Sequence, residues 1–275
     1  LSTLLKRTLS SIAFVIMILG PLFLSPKIAY TVYSLFGAFT LNEVYNLTKH
    51  TGSSPNKAIG LALYSGLVLL VYQFFFENGI GTAVSGLMIG GVGLAALFSE
   101  IFRRNDRPAE SIGITLASPL YVAISFLGAV YFIAYRDDLP QPLIVISVFS
   151  LIWINDVAAY LLGRKIGKNK LFERLSPNKT IEGSISGLVF SLLAGIGLSY
   201  IEGMPSLLIM VGFSFVCVVS GSLGDLLESR LKRAAGVKDS GKFLPGHGGF
   251  FDRFDAMMLA IPASILFFEL ALPKV

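Results

Sequence analysis

Apolar residues in this chain gather in long runs, with few polar positions to give them an amphipathic period. Nine runs stand out, at roughly 8–24, 28–45, 57–76, 80–99, 112–134, 141–162, 183–201, 204–224 and 254–272. A helix needs about 20 apolar residues to cross the hydrocarbon core, and about 17 suffice. Each run therefore predicts a spanning helix. Proline and glycine punctuate them at Pro26, Pro55, Gly79, Gly81, Pro108, Pro140, Pro142 and Pro205. Only Ser25-Pro26-Lys27 parts the first two runs, so eight spans is the main alternative. The predicted fold class is all-α, a polytopic integral membrane protein with about nine transmembrane helices.

Charge orients these helices. With a cytoplasmic N-terminus, 19 of the 22 basic residues fall on inside segments, and Lys27, Arg136 and Lys274 fall outside. The positive-inside rule favours that arrangement. It puts the two most basic loops, 163–180 and 230–253, on one cytoplasmic face. Lys6 and Arg7 before an apolar run resemble a signal peptide, but no small-residue cleavage site follows, and the segment reads as an uncleaved first helix. Composition agrees: 54% of residues are hydrophobic and 14% charged, against about 25% charged in soluble domains. Too few charges exist to coat a soluble core of this size. The single cysteine, Cys217, excludes an intrachain disulfide and a Cys-rich zinc site. With only His50 and His247 as histidines, a metal must rely on oxygen ligands, which suit magnesium, calcium or manganese. No nucleic-acid partner is expected.

Polar chemistry concentrates in the second half. Residues 1–140 are expected to supply packing helices, and Gly86, Gly90, Gly91 and Gly93 read as a site of close helix packing that could also serve a homodimer. Residues 141–275 are expected to hold the catalytic region. Within it, Asp156 lies inside the sixth run, where an ionisable group usually faces the protein interior or a water-filled cavity. Asn155 adjoins it, and Asp156, Tyr160 and Gly163 share a helix face. Asp225 follows Ser220-Gly221-Ser222-Leu223-Gly224, and if the helix continues, Glu228, Ser229 and Lys232 join its face. Glu228 and Lys232 also read simply as an i,i+4 pair. In the 163–187 loop, Glu182 reads equally as a cap for the seventh helix, and Lys179 as a partner for phosphate.

The densest signal is the stretch from Lys238 to Asp255. Its glycines, including Gly248 and Gly249, leave backbone N–H groups free to cradle anionic oxygens. Lys238, Lys242 and Arg253 supply positive charge, and Asp252 and Asp255 stand three apart at a helix start. Carboxylates for a metal, cations for phosphate and a glycine-rich backbone suit metal-assisted phosphate chemistry. On residues alone, a CTP-dependent kinase of polyprenols or similar lipid alcohols remains a rival, and so does a membrane transporter.

Ser229-x-x-Lys232-Arg233-x4-Lys238-Asp239-x5-Pro245-x-His247-Gly248-Gly249-x-x-Asp252-Arg253-x-Asp255 resembles the signature of the phosphatidate cytidylyltransferases, the CDP-diacylglycerol synthases. Asn155-Asp156 through Gly167-Lys168, and Ser176-Pro177-Asn178-Lys179-Thr180-x-Glu182-Gly183, resemble further family segments in the same order. Val157-Ala158 stand where the family usually has Thr-Gly, and Ala256 where a serine is common; neither departure removes a carboxylate or a base. The resemblance implies transfer of CMP from CTP to phosphatidic acid, giving CDP-diacylglycerol and pyrophosphate, with magnesium. It carries the metal-binding aspartates to Asp225 and Asp252, with Asp255 and Asp156 as additional ligands or supports. Lys179, Lys238, Lys242 and Arg253 become phosphate partners. Asn155, Asp156, Ser229, His247, Gly248 and Gly249 line the substrate site, with His247 as a loop organiser or phosphate donor rather than a base. The setting implied is a bacterial inner membrane with the site facing the cytoplasm.

Overall fold

The computed structural model describes residues 3–77, 79, 81–241 and 248–273. Helices come in the order α1 (Thr3–Leu24), α2 (Pro26–Lys49), α3 (Lys57–Phe76), α4 (Thr82–Ser99), α5 (Pro108–Ala134), α6 (Leu143–Ile166), α7 (Ile181–Leu198), α8 (Leu207–Ala234), α9 (Phe251–Phe254) and α10 (Met257–Ala271). Among the described residues, seven helices are long and apolar enough to span a membrane: α3 to α8, and α9 with α10 as one stretch. These match the last seven predicted runs. The first two runs are also helical, but the apolar part of α1 counted among the described residues is Ile12–Leu24, shorter than a span. Helix α2 is continuous but carries Asn42, Glu43 and Asn46 among its apolar residues, and it buries Thr40, Glu43 and Thr48.

Local sequence explains where the helices begin. Ser25 accepts from Ile28 N at 3.1 Å and is followed by Pro26 at the first helical position, whose fixed φ and missing N–H suit a helix start. Asn56 caps α3 through Ile59 N at 3.3 Å. The sequence predicted no strands, yet β1 (Lys170–Phe172) and β2 (Ser176–Thr180) pair antiparallel in a hairpin between α6 and α7. A segment this polar, between two apolar helices, finds its backbone partners in its own hairpin.

The chain divides into two compact units. One comprises Leu1–Tyr135 with Ala234–Arg253; the other comprises Arg136–Arg233 with Phe254–Val275. In the first, α2 packs on α5, and α3 packs on both α4 and α5. Two tyrosines lock these helices: Tyr45 Oη donates to Thr115 O at 3.0 Å, and Tyr64 Oη to Ser34 O at 2.9 Å. A Cβ at Gly60 would run into the Tyr45 ring, and one at Gly37 into Tyr64. The four glycines of α4 do not pack this way. A Cβ at Gly86, Gly90, Gly91 or Gly93 would meet nothing within 4 Å. Helix α4 turns Ser85 and Ala96 inward instead, and Ser85 Oγ bonds Gln73 of α3 at 2.7 Å. The close packing expected there is therefore absent within the described chain.

In the second unit, α6 and α7 form the most extensive helix pair. Gly183, Gly187, Ser191 and Gly195 recur every four residues on the buried face of α7. Small residues at that interval let two backbones approach closely. Ser191 Oγ reaches Leu151 O at 3.1 Å across the seam. At the far end of this unit, Arg136 is fully buried. It binds Asp138 through two nitrogens at 2.7 Å each, Glu269 at 2.6 Å and Leu272 O at 3.0 Å. Counted from sequence merely as an outside charge, it clasps the α5–α6 connection to the end of α10. Cys217 is buried in the same core.

Candidate active site

In the second unit, Asn155, Asp156, Tyr160 and Gly163 of α6, Lys179 and Thr180 of the hairpin, and Ser222 and Asp225 of α8 line one cavity of about 570 Å³. That size lies within the usual range for small-ligand sites, about 300–1,000 Å³. Three backbone features hold it. Gly163 and Gly183 let α6 and α7 touch, since a Cβ at Gly183 would stand 2.8 Å from Ala159 O. Thr180 ends β2 and caps α7 by accepting from Gly183 N at 3.2 Å. Glu182, read equally as a cap from sequence, accepts from its own N–H in the first turn of α7 and also from Lys168 N at 3.1 Å, Asn169 N at 3.2 Å and Asn169 Nδ2 at 2.7 Å. It thereby ties the end of α6 to the start of α7 and presents the hairpin to the cavity.

Five of the predicted site residues meet here. Lys179 Nζ forms an ion pair with Asp225 Oδ2, and Ser229 Oγ lies 3.4 Å from Asp225 Oδ1 one turn along α8. Asn155 Nδ2 donates to Asp156 Oδ1 at 3.3 Å. Helix α8 continues through this region to Ala234, ten residues past the predicted end of its run. At 28 residues it is about 42 Å long, more than the ~30 Å core requires. Its polar last turns therefore extend beyond the apolar run.

Asp225, Glu228 and Asp255 bring carboxylate oxygens within 4.8 Å of one another. Three acids this close repel one another unless a cation intervenes. Their oxygen donors suit a hard divalent ion, so the residues fit a divalent-cation site. Glu228 is also the i,i+4 partner of Lys232, at 2.5 Å, as its spacing suggested. Its place in the acidic group was missed from sequence, although it stands three residues from Asp225. Gly224 is required by the same approach, because a Cβ there would meet Asp255 O and Ala256 O.

The part of the signature from Ala234 to Arg253 belongs to the first unit and has its own geometry. Asp252 Oδ2 accepts from Ser240 N at 2.8 Å and Gly249 N at 2.8 Å, and Ser240 Oγ lies 3.0 Å from it and from Glu43 Oε2, with one proton for the two. Glu43, from the middle of α2, accepts from Phe250 N at 3.0 Å, Phe251 N at 2.9 Å and Ser240 Oγ at 3.0 Å. The free N–H cradle expected from the glycines is thus not what the described residues present. The amides of Gly249, Phe250 and Phe251 serve two carboxylates, because buried carboxylates need donors. Glycine at 241 and 249 has another cause: a Cβ at either would collide with the Glu43 carboxylate. Gly248 has φ +80° and abuts Asp252. Lys238 and Arg253 are exposed; Lys242 and His247 lie outside the described residues. Sequence reasoning missed Glu43, although the argument applied to Asp156, an acid inside an apolar run, applies to it equally.

A family model described as the cytidylyltransferase family matches residues 5–271, nearly the whole chain. The chain belongs to the cytidylyltransferase family. Among curated relatives, the phosphatidate cytidylyltransferase of Staphylococcus haemolyticus is 32% identical over 261 residues, covering 93% of this chain and 95% of that protein. The phosphatidate cytidylyltransferase of Staphylococcus epidermidis is 31% identical over 258 residues, with the same coverage. That of Staphylococcus aureus is 42% identical over 148 residues, about half of each chain. A cytidylyltransferase is a nucleotidyltransferase, and this one is built into a membrane. The kinase and transporter readings are not favoured.

Proposed function

We propose that this cytidylyltransferase transfers CMP from CTP to phosphatidic acid, giving CDP-diacylglycerol and pyrophosphate in phospholipid synthesis. The observation that carries the reading is the polar cavity among apolar helices, where Lys179 pairs with Asp225 beside Asn155 and Asp156. In the reaction, a phosphate oxygen of phosphatidate attacks the α-phosphorus of CTP. The bond from that phosphorus to the oxygen bridging to the β-phosphate breaks, and pyrophosphate leaves with its electron pair. The lipid phosphate is already ionised near neutral pH, so no side chain need remove a proton.

Two polyanions must meet, so the burden is charge and position. Asp225, with Glu228 and Asp255, would hold magnesium; Asp252 joins them on the strength of the signature. Magnesium, when bound, supplies divalent charge against the phosphate oxygens. Lys179 sits where it can pass from Asp225 to a phosphate, Asn155 steadies the Asp156 carboxylate, and Ser229 steadies Asp225. Lys238, Lys242 and Arg253 are proposed as further phosphate partners, and His247, Gly248 and Gly249 as parts of the substrate site. The active face is proposed to be cytoplasmic in a bacterial inner membrane, since CTP is soluble and the basic loops gather there. Residues 1–140 are proposed as the packing region and 141–275 as the catalytic region. A homodimer belongs to the same proposal, supported by the open glycine face of α4.

The test is pyrophosphate release by detergent-purified protein given CTP, phosphatidate and magnesium, beside Asp225→Asn. Release should need all three components, yield CDP-diacylglycerol and fall roughly 100-fold or more in the variant. Absence of release from folded wild-type protein, or CDP release with a polyprenol instead, would overturn the reading.

A further inference from the structure

We infer that Glu43 is a positioning residue for cytidylyl transfer: from α2 it holds Ser240 and the Phe250-Phe251 pair of the signature stretch together and so sets the orientation of Asp252. The inference rests on the functional reading above, in which Asp252 serves the metal.

Glu43 is 9% exposed and sits inside an apolar run, where an acid costs free energy unless fully bonded. Its two oxygens are bonded to the signature stretch and reach both sides of it. Oε2 takes the Ser240 hydroxyl at 3.0 Å and Phe251 N at 2.9 Å; Oε1 takes Phe250 N at 3.0 Å. Ser240 is in turn bonded to Asp252 through its backbone N–H, and its single hydroxyl proton lies within reach of both carboxylates. Glu43, Ser240 and Asp252 therefore form one continuous chain of hydrogen bonds. Neighbouring packing aligns the strand of contacts: the Phe250 ring stacks on Phe39 at 5.2 Å and leans on Phe36 at 5.6 Å, and both partners lie on α2 within two turns of Glu43. Bonds from N–H groups to an ionised carboxylate are among the stronger hydrogen bonds. Gly241 and Gly249 complete the fit, since either would lose its place beside Glu43 if it carried a Cβ.

An anchor that merely stabilised the unit would tolerate exchange for a neutral isostere with a uniform loss. A positioning role predicts a local and kinetic signature instead. Glu43→Gln keeps the shape but aims an NH₂ at one of the three donors. Its kcat should fall roughly 10–100-fold, as misplacement of a catalytic group does, while KM for CTP and phosphatidate changes little. The magnesium concentration for half-activation should rise severalfold. In metal-free protein, amide hydrogen exchange over 248–254 should quicken by roughly tenfold, with α3 and α5 unchanged. Glu43→Asp, which keeps both oxygens, should recover part of kcat. Gly241→Ala, which disturbs the carboxylate from the other side, should reproduce the exchange change.

Wild-type kcat and magnesium response in Glu43→Gln would overturn the inference. Exchange that quickens throughout the unit, or unfolding of both Glu43→Gln and Gly241→Ala, would also overturn it, by reducing Glu43 to a structural role. Failure of the wild type to make CDP-diacylglycerol would sink the functional reading, whereas unchanged local exchange would sink the positioning role alone.

Discussion

Gly187→Ala tests whether the α6–α7 seam sets the cavity. Gly187 is buried on α7, and a Cβ there would lie 2.7 Å from Asn155 O, with the Asn155 side chain closer still. Ordinary contact begins near 3.4 Å, so the helices must part by about 0.7 Å at this point. A backbone carbonyl in a helix cannot swing aside as a side-chain tip can. Overpacking of this kind costs about 1–3 kcal/mol. At ~2 kcal/mol the apparent Tm should fall by roughly 4–8 °C. The same shift moves Asn155 and Asp156 relative to Lys179, and a misplacement approaching 1 Å costs roughly 10-fold or more in rate. The assay pairs thermal unfolding in detergent with CDP-diacylglycerol formation under saturating substrates. Gly197→Ala on the same helix is the control, since a Cβ there meets nothing within 4 Å. It should leave activity intact and hold or raise stability, because alanine is the better helix former by ~0.5–1 kcal/mol. The reasoning is refuted if Gly187→Ala matches the wild type in Tm and rate, or if Gly197→Ala loses as much.

Two other predictions follow from single residues. Lys179→Met leaves Asp225 without its paired cation and removes a charge proposed to meet phosphate; kcat should drop roughly 100-fold or more, and a loss under threefold in steady-state assays would remove Lys179 from the mechanism. Arg136→Met deletes the buried clasp on Asp138, Glu269 and Leu272. Both carboxylates are partly exposed and water recovers some of the loss, so about 3 kcal/mol is expected rather than the upper end for a buried pair. Differential scanning fluorimetry should show Tm lowered by roughly 6–12 °C, with the rate per folded molecule unchanged.

The sequence made much of the fold legible because membrane insertion is read from local composition. Lengths of apolar run marked α3 to α8 and the final helix, and Pro26 and Pro55 marked the breaks on either side of α2. The site was legible in part. Asp156 and Asp225 were noticed because charge is scarce in apolar surroundings, and the signature pointed to the stretch ending at Asp255. The hairpin was not legible: Lys170–Thr180 has neither strand-like alternation nor apolar character, and its pairing satisfies backbone groups whose side chains say little.

What the sequence by itself determined, then, was which apolar runs from residue 57 onward are helices of membrane length, and roughly where they begin. Tertiary structure alone decided which groups bond to which. Glu43 and Phe251 lie 208 positions apart, and Arg136 and Glu269 lie 133 apart; hydropathy and helical period carry no information at that range. The glycines of the signature illustrate the physical reason. Sequence reveals that their N–H groups can face an anion, but only packing chooses the anion, and in this structure helix α2 brings Glu43 within 3.0 Å and claims the amides of Phe250 and Phe251.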